Sequence, residues 1–176
     1  MRTLILFVLA GLLVGSGPVP EAVVSGTLAD VPVRGAAYGW PLDGNSAVVR
    51  PFAPPARPWL PGHRGVDLAG TAGAPVRAAG AGIVAFAGSV AGRPVVSVEH
   101  PSGLRTTYEP VVPGVVAGQR VRVGEVLGEL AAGHPGCPVA ACLHWGLRSG
   151  SGSDAVYLDP LSLLGLRRVR LLPLAG

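Results

Sequence analysis

The sequence predicts an all-β domain of mostly antiparallel strands, on three observations. Glycine (27) and proline (18) together make about a quarter of the 176 residues, a level that suits many short strands joined by turns better than long helices. Apolar residues reach 49% while aromatics are only 5%, so the core is built mainly from Val, Leu, Ala and Ile. From Tyr38 onward, short runs that alternate apolar with polar or small residues follow one another, and Gly or Pro separates most of them. High Gly and Pro also occur in disordered chains, but a mean hydropathy of +0.48 argues against disorder for most of this one.

The chain opens with a short positive region, Met1-Arg2, and an apolar run from Leu4 to Val14 that Gly15-Ser16-Gly17-Pro18 breaks. This is the layout of a secretory signal. The run is shorter than the roughly 20 apolar residues a membrane span needs, so no span is expected after signal removal. A buried N-terminal element and an uncleaved anchor are the competing readings. Small residues at Val24-Ser25-Gly26 and Thr27-Leu28-Ala29 offer cleavage sites. Residues 1–29 are read as signal and start of a linker, and residues 30–37 as linker. The main domain is expected over residues 38–165.

Within it the expected strands are Pro75 to Ala78, Gly82 to Ala87, Pro94 to Glu99, Leu104 to Tyr108, Arg120 to Val123, Glu125 to Leu130 and Cys142 to Leu147. His100 precedes Pro101-Ser102-Gly103, a hairpin-turn signal, and is read as structural. Asp159-Pro160 starts a short turn or helical segment around Leu161 to Leu164. Residues 166–176 form a basic and apolar tail. No internal repeat of fixed period is present.

The net charge is +4 and every positive side chain is Arg, because the chain has no Lys. The arginines are scattered, and none of them interleaves with aromatics as a nucleic-acid platform requires, so no nucleic acid is expected as partner. The lack of Lys also excludes biotinyl and lipoyl carrier domains, which Gly-punctuated strands would otherwise suit. The two cysteines, Cys137 and Cys142, are a close pair, which in an exported chain suggests a disulfide.

His63-Arg64-Gly65-Val66-Asp67 places an imidazole and a carboxylate four residues apart, two good zinc donors. Alone, that spacing more often marks a surface hydrogen-bonded pair. Gly65 between them is expected to let the backbone bend so that both side chains converge. Cys142-Leu143-His144-Trp145, read as a strand, puts Cys142 and His144 on one face and Leu143 and Trp145 on the other. A catalytic zinc site takes three protein ligands and keeps one position open, and His63, Asp67 and His144 supply two imidazoles and one carboxylate.

Several segments in order resemble the M23 (lysostaphin/LytM-type) metallopeptidase family, over about Tyr38 to Leu164. His63-x-Gly65-x-Asp67 is similar to its HxGxD motif. Gly73-Ala74-Pro75-Val76-Arg77-Ala78, Gly82-Ile83-Val84, Val96-Ser97-Val98-Glu99-His100, Thr107-Tyr108 and Val121-x-x-Gly124-x-x-Leu127-Gly128 continue the likeness, and Leu143-His144 falls on the end of its HxH motif. The resemblance implies a Gly-rich antiparallel β-sheet or barrel-sandwich domain and one zinc per chain on His63, Asp67 and His144. It implies an exported zinc metalloendopeptidase acting on peptidoglycan peptides, secreted or in the cell envelope. A catalytically degenerate, zinc-binding cell-wall module is the alternative.

Two departures bear on catalysis. The family's first HxH histidine falls on Cys142, and the histidine of its Y-x-H motif falls on Pro110 of Tyr108-Glu109-Pro110. Both are non-ligand helpers, and neither Pro nor a disulfide-bonded Cys can supply their proton or hydrogen bond. Activity is therefore expected to be slow. Cys142 has three readings: a disulfide with Cys137, a fourth zinc ligand, or a buried free thiol. His134, in the loop before Cys137, is a candidate replacement helper if that loop reaches the metal, and otherwise an exposed loop histidine. Glu109 is expected to point away from the site.

Overall fold

The computed structural model describes residues 37–44, 46–57 and 59–166. The signal-like start, the linker through residue 36 and the tail from residue 167 lie outside the described residues. Alternation of buried and outward residues produces eleven strands among the described residues. They are β1 Val48–Arg50, β2 Gly65–Ala69, β3 Pro75–Arg77, β4 Gly82–Val90, β5 Arg93–Glu99, β6 Leu104–Glu109, β7 Val111–Pro113, β8 Arg120–Val121, β9 Val126–Leu130, β10 Cys142–Ser149 and β11 Val156–Leu158. A 3-10 turn follows over Pro160–Leu164, started as expected by Asp159, whose Oδ1 accepts from Leu161 N at 3.0 Å.

All strand pairing among the described residues is antiparallel. The large sheet runs β1-β2-β10-β6-β5-β4-β8, with β11 on the stretch of β10 beyond β2. The small sheet runs β3-β9-β7. One core draws on both sheets: Val66, Leu68, Val96, Val98, Tyr108, Leu143 and Trp145 from the large one, Val76, Val111, Leu127 and Leu130 from the small one. Burying each such aliphatic side chain contributes on the order of 1.5–3 kcal/mol. The opposite face of the large sheet is left free to carry chemistry. No helix among the described residues is long and apolar enough to cross a membrane.

All seven expected strands form, with ends shifted by a few residues. Four short strands, β1, β2, β7 and β11, were not expected. Their sequences are brief and interrupted, and it is neighbouring strands that hold them. The β4–β5 hairpin closes through Ala91-Gly92, both at positive φ (49° and 79°), the turn geometry that matches strand twist. Ala91 is strained there, and Gly92 is not.

His100 is structural, as its position before the turn suggested. Its Nδ1–H donates to the Ala81 carbonyl (2.9 Å), so its Nε2 must accept, here from Thr106 Oγ1 (2.8 Å). Thr106 Oγ1 in turn accepts from Tyr108 Oη (2.9 Å), which accepts from Ala79 N (2.8 Å). Every donor in this buried chain has one acceptor only if His100 is neutral. Burial pushes the His100 pKa down from 6.5, outweighing the opposing pull of the Ala81 carbonyl and Glu99, and pushes the Tyr108 phenol up to about 12. The folded His100 pKa lies below the unfolded one, so the unfolded chain takes up the proton first and stability falls as pH drops through and below about 6.5. Urea unfolding at pH 7.5 and 5.5 will show this loss, and His100→Gln will reduce it. An equal pH dependence in the variant would rule out His100 as its source.

Candidate metal centre

The centre sits on the outward face of the large sheet. In β10, Leu143, Trp145 and Leu147 face the core, which sends His144 outward. Asp67 pairs directly with His144 across β2 and β10, so both side chains share that face. His63 lies outside the strands, held by a two-bond bridge to Ala53 (His63 N to Ala53 O 2.7 Å, Ala53 N to His63 O 3.0 Å). The chain does bend just before β2, at Arg64, but without a left-handed backbone conformation at Gly65. That glycine opens β2 with ordinary backbone, and what it supplies is space. A Cβ there would lie 2.5 Å from the Trp145 carbonyl and 2.7 Å from His144 Nε2.

Three ligand atoms converge. Asp67 Oδ1 lies 2.9 Å from His63 Nε2 and 2.9 Å from His144 Nδ1, and those two nitrogens are 3.1 Å apart. His63 Nδ1–H donates to the Pro51 carbonyl at 2.7 Å. A carbonyl only accepts, so in the neutral ring Nε2 carries a lone pair. That lone pair faces a carboxylate oxygen, an arrangement that repels unless a cation, a proton or a metal ion, lies between them. His63, Asp67 and His144 are thus a group that could hold a metal ion. A backbone carbonyl behind a histidine is also the usual arrangement for a metal ligand.

Asp67 is fully buried. Burial alone would raise its pKa, but the hydrogen bond from His144 and the charges of His134, His63 and His144 outweigh this and hold the carboxyl below its ordinary value. Its Oδ2 has no hydrogen-bond partner. Arg50 Nη1 approaches to 3.8 Å and His134 Nδ1 to 3.9 Å.

The structure brings His134 to the centre. Its side chain is only 8% exposed, and its ring stacks parallel on His144 with centroids 5.5 Å apart. Its Nδ1 also lacks a hydrogen-bond partner. Burial pushes its pKa down, against the pull of Asp67 and Glu109. The exposed-loop alternative for His134 is therefore set aside. Cys137 and Cys142 form a disulfide with Cα atoms 5.8 Å apart. Of the three readings of Cys142 only the disulfide stands. It ties the end of the His134 loop to β10, two residues before His144.

Glu109 corrects a sequence expectation. It pairs with His144 across β6 and β10, so it faces the centre rather than away from it. The expectation took position 110 as the site-facing one. With Thr106 and Tyr108 buried in the core, alternation sends Glu109 to the site face, and the buried Pro110 turns its carbonyl to Ala131 N at 3.0 Å. Glu109 Oε1 meets Arg93 Nε at 2.5 Å. Sequence reasoning passed over Arg93 and Arg50, and Glu109 was recoverable from the inward Tyr108 alone. His63, His144, His134, Glu109, Arg50 and Arg93 line a cavity of about 380 Å³.

The profile of peptidase family M23 matches residues 61–160, and the chain belongs to that family. An uncharacterized protein of Mycobacterium tuberculosis (strain H37Rv) is 60% identical over 138 residues, 78% of this chain and 55% of the relative, and one of Mycobacterium bovis matches identically. The chain thus spans about half the length of the curated relatives it matches. Among solved structures, that of lysostaphin, an antimicrobial peptidase of Staphylococcus simulans, superposes with a TM-score of 0.60 at 23% identity, over 81% of this chain and 62% of that one. A chain of the SpoIIQ–SpoIIIAH pore-forming complex superposes with a TM-score of 0.59 at 25% identity, over 73% and 90%.

Proposed function

We propose that this protein is an exported zinc metalloendopeptidase acting on peptidoglycan peptides. The convergence of His63 Nε2, Asp67 Oδ1 and His144 Nδ1 within 3.1 Å of one another carries this reading. Tetrahedral zinc with bonds of about 2.0–2.1 Å holds its donor atoms roughly 3.3 Å apart, so small outward shifts of these side chains fit it. When bound, zinc supplies Lewis acidity, which polarises a peptide carbonyl and acidifies water. The chain's own residues do the rest. His63 and His144 present lone pairs, and Asp67 presents a buried negative charge. His134, buried against His144, offers a ring N–H to the oxygen of the scissile carbonyl in place of the family's missing helpers. Glu109, held by Arg93, is placed to accept a proton or orient the attacking water. Membership of family M23 and the signal-like start support peptidoglycan as substrate and an extracytoplasmic location.

The second reading is a zinc-binding module that cleaves nothing. The disulfide at Cys142 and the proline at 110 favour it, since both stand where helper histidines are expected. Mass spectrometry of soluble crosslinked stem peptides incubated with zinc-loaded protein separates the two. We expect hydrolysed peptide products, lost with a chelator and regained with zinc. No product from protein that holds zinc would leave the second reading.

A further inference from the structure

A second cavity of about 380 Å³ adjoins the first, sharing Arg64, Arg93, Glu109 and His144 with it. Its floor follows from strand register. Gly146 pairs with Gly65 on β2 and with Thr107 on β6, so beside His144 the sheet surface is nearly bare backbone. A Cβ at Gly146 would sit 3.6 Å from Thr107 Cβ and 3.8 Å from His144 Nε2, where it would fill the groove rather than strain the fold.

The far end of this trough is cationic. Arg148 shares the outward face of β10 with His144 and Gly146, and it pairs with Tyr157 on β11. The Arg64 guanidinium stacks over the Tyr157 ring, 5.6 Å from its centroid. On the same face, Arg93 is paired with Glu109 and Arg105 with Glu99. Arg148 differs from these two. Its Nη1 donates to the Gly150 carbonyl at 3.2 Å, and among the described residues no carboxylate lies within salt-bridge distance of it. A guanidinium so placed can receive a carboxylate through two parallel hydrogen bonds.

We propose that this groove binds a peptide carrying a free carboxylate, and that Arg148 receives it, with Arg64 and Tyr157 as the adjoining wall. The inference rests on the peptidase reading above and narrows its substrate to acidic peptides. Arg148 lies four residues along β10 from His144, roughly 13 Å at the rise of a strand. The carboxylate is therefore carried within a few residues of the bond held at the metal centre. A neutral, glycine-like peptide would leave the arginine without a carboxylate and gain little from the groove.

The test is binding of soluble crosslinked stem-peptide dimers to zinc-loaded protein by calorimetry. The dimers are used with carboxylates free and with every carboxylate converted to a primary amide. The free acid is expected to bind about tenfold more tightly, as a charge-assisted pair would give. Arg148→Gln should bring the two forms to within about twofold. Arg120→Gln, the same charge change on β8 at the far edge of the sheet, should leave the preference intact. Equal binding of acid and amide, or no binding of either, would overturn the proposal. So would a preference that Arg148→Gln leaves standing or that Arg120→Gln also removes, the latter because general charge would then explain it. Tight, Arg148-dependent binding without cleavage would keep this site while ending the peptidase reading. Cleavage of both forms at equal affinity would do the reverse.

Discussion

Replacing His144 with alanine will strip stoichiometric zinc from a protein that stays folded. The ring stands on the outward face of β10, while Leu143, Trp145 and Leu147 of the same strand hold the core, so little packing goes with it. What goes is one of the three proposed ligand atoms. Losing even a residue behind a metal ligand costs about 10–100-fold in affinity, and losing a ligand costs more. Elemental analysis should fall from about one zinc per chain to below roughly a tenth, with the unfolding transition of metal-free protein little changed. Full zinc in folded His144→Ala protein would remove His144 from the ligand set.

The second large effect belongs to His134. His134→Ala should keep its zinc and lose about 10²–10³ in kcat, the usual cost of one donor to a developing oxyanion. The reason is geometric. Cys142 is locked in the disulfide and Pro110 is buried, so neither can donate. His134 is the remaining histidine beside the centre, 3.9 Å from Asp67 Oδ2 and stacked on His144. If turnover survives the substitution unchanged with zinc still bound, the donor lies elsewhere, and Arg50 and Arg93, which carry N–H groups into the same cavity, become the first residues to replace.

Much of this centre was legible in the sequence. The HxGxD and LHW segments carry their own ligand types, and strand alternation alone placed His144 opposite the apolar Leu143 and Trp145. The disulfide was legible as one of three readings, because the two cysteines are a close pair five residues apart. Other features depend on pairing between distant segments, which composition does not encode. Glu109 enters the site because β6 meets β10 in the register that sets it against His144. His63 is aimed by Pro51 and Ala53, neither of which has a recognisable motif. Gly65 looked like the source of the bend, which falls at Arg64, and is a space for the His144 ring, a distinction only the packed neighbour reveals. His134 reached the centre through a loop whose path no periodicity describes, tied down by Cys137–Cys142.

The most direct measurement is anomalous diffraction at the zinc edge from crystals of the zinc-loaded protein. The account predicts one strong peak per chain, about 2.0–2.2 Å from each of His63 Nε2, Asp67 Oδ1 and His144 Nδ1. No peak among these three atoms, or a peak held by other side chains, would contradict it.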